Sequence, residues 1–397
     1  MVSPPSIQGV ERNGWTDQFR RAPKNEFRVG VKRLSVEMNQ LLLEMVQQSG
    51  SDLLIAAGYP VTMRKYGALV NMSEALLTQA QVESCLQQVL SEAELETLRT
   101  QQDMDFAYQV EHPTRGYCRF RANAFYQRFG PSICFRAIPK EIPTLADLGL
   151  PEDLGPGLME FHQGLVLVTG PTGCGKTSTL AALTDYCNRT RALNVITVED
   201  PIEYVHPTKR SLLVQRQVGL HCDSYASALR ASLREDPDLI LVGELRDLET
   251  ISLAITAAET GHLVLSTLNT ISAAQTINRI VNAFPPRQQS QVRMMLADSL
   301  RGVISQQLLP RSDGKGRVAA VEVMYANGPI GNLIRENKMH QVNSVMQTGS
   351  KRGMRLMDDS LLALVKAGTV DPREAVDRAH DKNTFIERAH ITGDNRR

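Results

Sequence analysis

The run "GPTGCGKT", Gly170 to Thr177, places glycines, a lysine and a hydroxyl at the spacing of a phosphate-gripping loop. A glycine-rich turn lets backbone N–H groups point at phosphate oxygens, and the helix after it adds the positive end of its dipole. Lys176 supplies a point charge at the β- and γ-phosphates, and the Thr177 hydroxyl a ligand for Mg²⁺. The candidate ATP contacts are Gly170, Thr172, Gly173, Cys174, Gly175, Lys176, Thr177 and Ser178, with Thr177 also the candidate metal ligand.

Such a loop needs acids and cations on neighbouring strand ends, because an open parallel sheet binds ligands beyond its carboxyl edge. The strand "NVITV" delivers Glu199, Asp200 and, after Pro201, Glu203. "DLILVG" delivers Glu244, and "HLVLS" delivers Thr267 and Asn269, with His262 at its start. Glu244 is placed to act as the general base that orients an attacking water. In "LILVGELRD" Gly243 stands where a metal-holding Asp is usual, so the metal is expected to rest on Thr177, the phosphates and water. Glu199 or Glu203 would then act through water. Phosphoryl transfer also calls for a further cation. The loop holds no arginine, which leaves Arg119, Arg121, Arg128 and Arg136 on earlier alternating strands. Arg119 and Arg121 share a strand face by the period of two. The bland alternative is a solvated basic strand face.

A chain of 397 residues implies two domains. Residues 1–33 read as a mobile polar tail. Helical and alternating segments then give a small mixed α/β domain over 34–138. The Pro- and Gly-rich run 139–157 reads as an interdomain linker. Residues 158–370 alternate near-continuous apolar strands with helices, the pattern of a parallel sheet covered on both faces. From "SQVRMMLADSLRGVISQQLL" onward the chain reads as mostly helical, with a C-terminal tail over 371–397. The fold class is α/β. Six cysteines without a C-x-x-C pair argue against a zinc ribbon or a disulfide framework. No apolar run approaches the length of a membrane span. Net charge is +1 and aromatics are 5%, which leaves little for a nucleic-acid path, so no nucleic-acid partner and no direct membrane insertion are expected.

Four runs resemble the motifs of the type II/type IV secretion ATPases: "GPTGCGKTSTLAAL", "ITVEDPIEYVH", "LREDPDLILVGELRDLETI" and "TAAETGHLVLSTLNT". Family usage names them Walker A, Asp box, atypical Walker B and His box, and a glycine at the position of Gly243 is normal there. The resemblance implies that Glu244 is the catalytic carboxylate, that Glu199 and Glu203 assist, and that His262 belongs to the catalytic set. Within the superfamily, "GSDLLIAAGYP", "RFRANAFYQ", "FRAIP" and "GNLIRE" resemble the type IV pilus retraction ATPases, from about residue 35 to beyond 380.

That likeness implies a PAS-like domain followed by a RecA-like P-loop ATPase domain, assembled as a homo-hexamer. ATP and Mg²⁺ would lie between the two domains, with Arg119, Arg121 and Arg136 reaching the phosphates. The implied partners are an inner-membrane pilus platform protein and a paralogous retraction ATPase. The implied work is pilin disassembly and twitching motility, driven from the cytoplasmic face of the membrane by ATP-dependent domain rotation. An accessory retraction ATPase and a type IVB secretion ATPase are the neighbouring readings. A RecA-type nucleic-acid motor and a nucleotide sensor without turnover are the readings of a different class. Two departures stand out: Asn269 replaces the histidine of the family's T-L-H-T, and Gly331 replaces the arginine of its A-I-R-N-L-I-R-E.

Overall fold

A computed structural model describes residues 37–65, 67–112, 116–138 and 140–390. The expected tail over 1–33 lies outside the described residues. The first part of the chain runs α1 (Met38–Gln47), β1 (Gly50–Ala56), β2 (Pro60–Lys65), β3 (Ala68–Leu76), α2 (Gln79–Val89), α3 (Glu92–Gln101), β4 (Asp103–His112), β5 (Gly116–Gln127) and β6 (Gly130–Ile138). Its strands form one antiparallel sheet in the order β3-β2-β1-β6-β5-β4. Helix α1 packs on β1 and β4, and α2 on β6. Leu53, Ile55, Phe120 and Phe135 fill the space between, and the rings of Phe106, Tyr108 and Phe120 all meet Phe135 edge-on at 6.0 to 6.3 Å.

Two details of the small domain are set by a few residues. The run "LTQAQVESCLQQVLSEAELETLRT" folds as two helices, because Ser91 and Glu94 form a capping box that starts α3. The run "MRKYGALV" is divided between β2 and β3, with Gly67 between them at φ +88°.

The second part runs α4 (Leu154–Met159), β7 (Gly164–Thr169), α5 (Lys176–Thr190), β8 (Asn194–Glu199), β9 (Leu212–Gln217), α6 (Tyr225–Ser232), β10 (Leu239–Val242), α7 (Leu248–Glu259), β11 (Leu263–Leu268), α8 (Ala273–Asn282) and α9 (Pro286–Ser299). It continues with β12 (Leu300–Pro310), β13 (Arg317–Tyr325), α10 (Gly328–Arg335), α11 (Val342–Thr348), α12 (Met357–Lys366), α13 (Pro372–Arg378) and α14 (Lys382–Arg388). The sheet order is β13-β12-β7-β11-β10-β8-β9, parallel throughout except for β13. Strands β7, β10 and β11 are buried along their whole length. Leu165, Leu167, Val198 and Ile240 face α6 to α9, whereas Val166, Val168, Leu239 and Leu241 face α4 and α5. That double cover is why these strands are continuously apolar. The fold is a RecA-like α/β domain preceded by a small PAS-like one.

The expected helical run after residue 290 is corrected. Helix α9 ends at Ser299, and "LRGVISQQLLP" and "RVAAVEVMY" are strands β12 and β13. Both faces of these strands are covered, so their apolar residues carry no period that separates strand from helix. The segment over 139–157 is not a free connector, since Leu145, Leu150 and Leu154 are buried in the second core. The segment expected as a tail from 371 is helical through α13 and α14, capped by Asp371 and Asp381 and anchored by Ala375 and Phe385.

Candidate active site

The phosphate loop joins β7 to α5. Its backbone demands its glycines. Gly170 has φ +141°, and a Cβ there would lie 2.2 Å from the Gln306 carbonyl oxygen and 2.6 Å from Cys174 Sγ. Gly175, at φ +91°, turns the chain into α5. Gln306 of β12 braces the loop from below: its Nε2 donates to the Cys174 carbonyl at 2.6 Å, and its Oε1 accepts from Thr179 Oγ1 at 2.9 Å. Lys176 Nζ donates to the carbonyls of Gly170 (2.9 Å) and Pro171 (3.2 Å) and to Asn269 Oδ1 (2.7 Å).

Above the loop lies a cavity of about 620 Å³, lined from both sheets. This is within the ordinary size of a small-ligand site. Thr172, Gly173, Gly175, Lys176, Thr177 and Ser178 form its floor, and Glu199, Glu203 and Glu244 one wall. Arg121 of β5 and Arg136 of β6 also line it, directly across from each other in the strand register. Arg136 Nε is anchored to the buried Asp52 Oδ1 at 2.8 Å, while Arg121 lies 3.8 Å from Asp105.

Other expected residues fall elsewhere. Gly170 and Cys174 shape the loop without lining the cavity, and the Cys174 N–H is spent on the Pro171 carbonyl at 3.3 Å. Burial pushes the Cys174 thiol up from its ordinary range. Arg119 lines a separate crevice with Tyr117, Lys140, Glu203 and Val205. Arg128 stacks over Phe129 at 5.4 Å. His262 precedes β11, where its Nδ1 lies 3.1 Å from the Ala257 carbonyl. That is the amino edge of the sheet, roughly 20 Å of strand from the carboxyl edge at about 3.3 Å per residue.

The acids are held differently. Glu244 is gripped by two donors: Asn269 Nδ2 gives a hydrogen bond to Oε1 at 2.6 Å, and Arg246 Nε to Oε2 at 2.8 Å. Asn269 therefore joins the P-loop lysine to the strand-end acid in a single side chain. Gly243 is explained by Tyr225, which lines the cavity: a Cβ on residue 243 would lie 2.9 Å from the Tyr225 hydroxyl. The phenol fills the space that a side chain would use. The strand-edge rule places Asn269 at the site, but Arg246, Tyr225 and Gln306 have no role in the sequence reading. Arg246 stands two residues beyond Glu244, so the same rule could have found it, whereas Gln306 lies inside a strand that periodicity missed.

Glu199 is almost fully buried, and its Oε1 accepts from Thr197 Oγ1 (2.7 Å) and Gln215 Nε2 (3.1 Å). Burial pushes its carboxyl above the usual range, with the Glu203 charge adding to the effect. An acid whose folded value is raised binds more protons folded than unfolded, so stability falls as pH rises from its unfolded value, about 4.3, through its folded one. Glu199→Gln keeps an oxygen for both donors and removes the charge. We expect it to raise the melting temperature of the nucleotide-free chain at neutral pH, with the gain vanishing below about pH 4. Thermal unfolding across pH measures this; a gain that persists in acid would refute the assignment.

The residues present fit a nucleoside triphosphate: a lysine, a helix N-terminus, glycines held at positive φ, and two arginines face one cavity. Among the described residues no cluster of three or more His, Cys, Asp or Glu could hold a metal alone. Mg²⁺ fits as an ion that arrives on phosphate and keeps most of its water, with Thr177 as its protein ligand.

Fold and site together define a P-loop nucleotide-binding protein with a RecA-like core. The family model "Type II/IV secretion system protein" matches residues 30–385. The chain belongs to this family. It is 44% identical to "Twitching motility protein" of Neisseria gonorrhoeae, over 86% of this chain and 89% of the relative. It is 43% identical to "Type IV pilus retractation ATPase PilT" of Pseudomonas aeruginosa, over 88% of this chain and 100% of the relative. Among solved structures, "Crystal Structure of the Pilus Retraction Motor PilT and Bound ADP" is similar at 42% identity and TM-score 0.80, covering 88% of this chain and 98% of that one.

Proposed function

We propose that this chain is an ATP-hydrolysing motor that powers type IV pilus retraction. The observation that carries the reading is the single cavity lined by P-loop, strand-end acids and the two arginines of the small sheet. ATP binds with its phosphates on the loop N–H groups and Lys176. Glu244, oriented by Asn269 and Arg246, takes the proton of the attacking water. Arg121 and Arg136 offset the charge that develops on the γ-phosphate. Mg²⁺, when bound with the nucleotide at Thr177, supplies Lewis-acid charge neutralisation.

Because the cavity is lined from both sheets, closing on ATP and opening on release would move one sheet against the other. In a homo-hexameric ring that motion would drive an inner-membrane platform protein from the cytoplasmic face and draw pilin back. No helix among the described residues is long and apolar enough to cross a membrane, so contact with the membrane is assigned to that partner. Two measurements test the proposal together: Mg²⁺-dependent phosphate release by the purified chain, and pilus imaging in a deletion strain. Hydrolysis with loss of retraction is expected; a strain that retracts normally would sink the motor role.

A further inference from the structure

Glu322, on β13, is a carboxylate the reaction does not use, and it is only 1% exposed. Its Oε1 accepts the backbone N–H of Ala273, the first residue of α8, at 2.7 Å. Burial pushes its carboxyl above the usual carboxylate range, against the pull of the Ala273 amide and the His380 ring. Oε2 has no hydrogen-bond partner. An apolar residue of similar volume would serve packing alone without this desolvation penalty.

Its side chain meets α8, whereas its strand is tied to α12 on either side of it, and the two helices lead to different places. Residue 273 is four beyond Asn269, which bridges Lys176 and Glu244. Helix α12 carries the C-terminal helices. Its entry is clipped to β13 by paired backbone hydrogen bonds between Val323 and Arg355 (2.8 and 2.9 Å) and by Val321 N–H to Ser360 Oγ (3.0 Å). Asp358, in its first turn, accepts the N–H groups of His380 and Asp381 at 2.8 and 3.0 Å, which fixes the junction of α13 and α14. On its own sheet Glu322 pairs with Ser305, whose hydroxyl accepts from Thr169 Oγ1 at 2.9 Å, one residue before the P-loop.

We propose that Glu322 is a positioning residue that couples the Asn269 loop to α12–α14, so that nucleotide binding in the cavity is felt by the C-terminal helices. This rests on the reading of the cavity as an ATP site. Nucleotide that draws Lys176 or Glu244 shifts Asn269, and the shift reaches the α8 N-terminus within one short loop. There the carboxylate passes it to β13, whose residues on either side of Glu322 hold the start of α12.

The test uses the full chain with ATP and Mg²⁺, following amide hydrogen exchange in the first turns of α12 together with steady-state hydrolysis. In the wild type, ATP is expected to change exchange at Met357 to Leu361. Glu322→Leu, which removes the acceptor of the Ala273 N–H, should abolish that change and lower kcat about tenfold at unchanged KM. Ser360→Ala removes a different tie between the same elements, and is expected to lower the melting temperature while keeping both the response and kcat. Retention of the ATP response in Glu322→Leu, its equal loss in Ser360→Ala, or its absence from the wild type each overturns the proposal. Phosphate release is read separately. A wild type that releases none sinks the motor reading, while the exchange comparison still decides the role of Glu322.

Discussion

Glu244→Gln is expected to keep nucleotide affinity and to lower kcat by about 10²- to 10⁴-fold, the usual range for removing a general base. The acid sits between two donors, Asn269 Nδ2 and Arg246 Nε. A carboxylate accepts from both, whereas an amide offers one oxygen and must turn its NH₂ toward the other donor. The variant therefore loses the proton acceptor and disturbs its orientation together. Binding should survive, because the loop glycines, Lys176 and the brace from Gln306 are untouched. Nucleotide binding by fluorescence and phosphate release on one preparation decide it. Wild-type turnover would remove Glu244 from the role. Loss of binding would place it among the nucleotide's anchors instead.

Arg121→Ala is expected to lower kcat by about 10³-fold or more, as removal of a transition-state arginine does, with little loss of stability. Arg121 lines the cavity beside Arg136, and its nearest carboxylate, on the half-exposed Asp105, is 3.8 Å away. Exposed pairs of this kind contribute about 0–1 kcal/mol, so truncation isolates the catalytic effect. Arg136 would be a poorer probe, since removing it takes the 2.8 Å partner from the buried Asp52 carboxylate and leaves it with Ser51 and the more distant Arg64. Arg119→Ala supplies the contrast: its side chain lines the neighbouring crevice, so turnover should stay near wild type. Equal losses at 119 and 121 would mean that a basic strand face acts as a whole. No loss at 121 would exclude it as the cation.

The parts legible in sequence were those written in local pattern. The P-loop and the acids after β8 and β10 follow from strand, turn and helix signals within a few residues. So do the buried strands β7, β8, β10 and β11. What failed depended on distance. Period two places Arg119 and Arg121 on one face, but two residues span roughly 7 Å along a strand, enough to send them to different pockets. His262 shares a strand with Thr267 yet lies at the opposite edge. Tyr225 is written at the start of α6, and only packing shows that its hydroxyl is what keeps residue 243 a glycine. Strands β12 and β13, buried on both faces, gave no alternation, and with them Gln306 and Glu322 were lost from view.

Asn269 joins lysine to acid through a primary amide, a group with no proton to gain or give up near neutrality. An imidazole in the same place would titrate near pH 6.5 and swap acceptor for donor as it did so. This linkage is blind to acidity. Mild acidification would meet the site first at Glu199, whose carboxyl burial holds above the usual range, while the amide that joins Lys176 to Glu244 keeps the same polarity throughout.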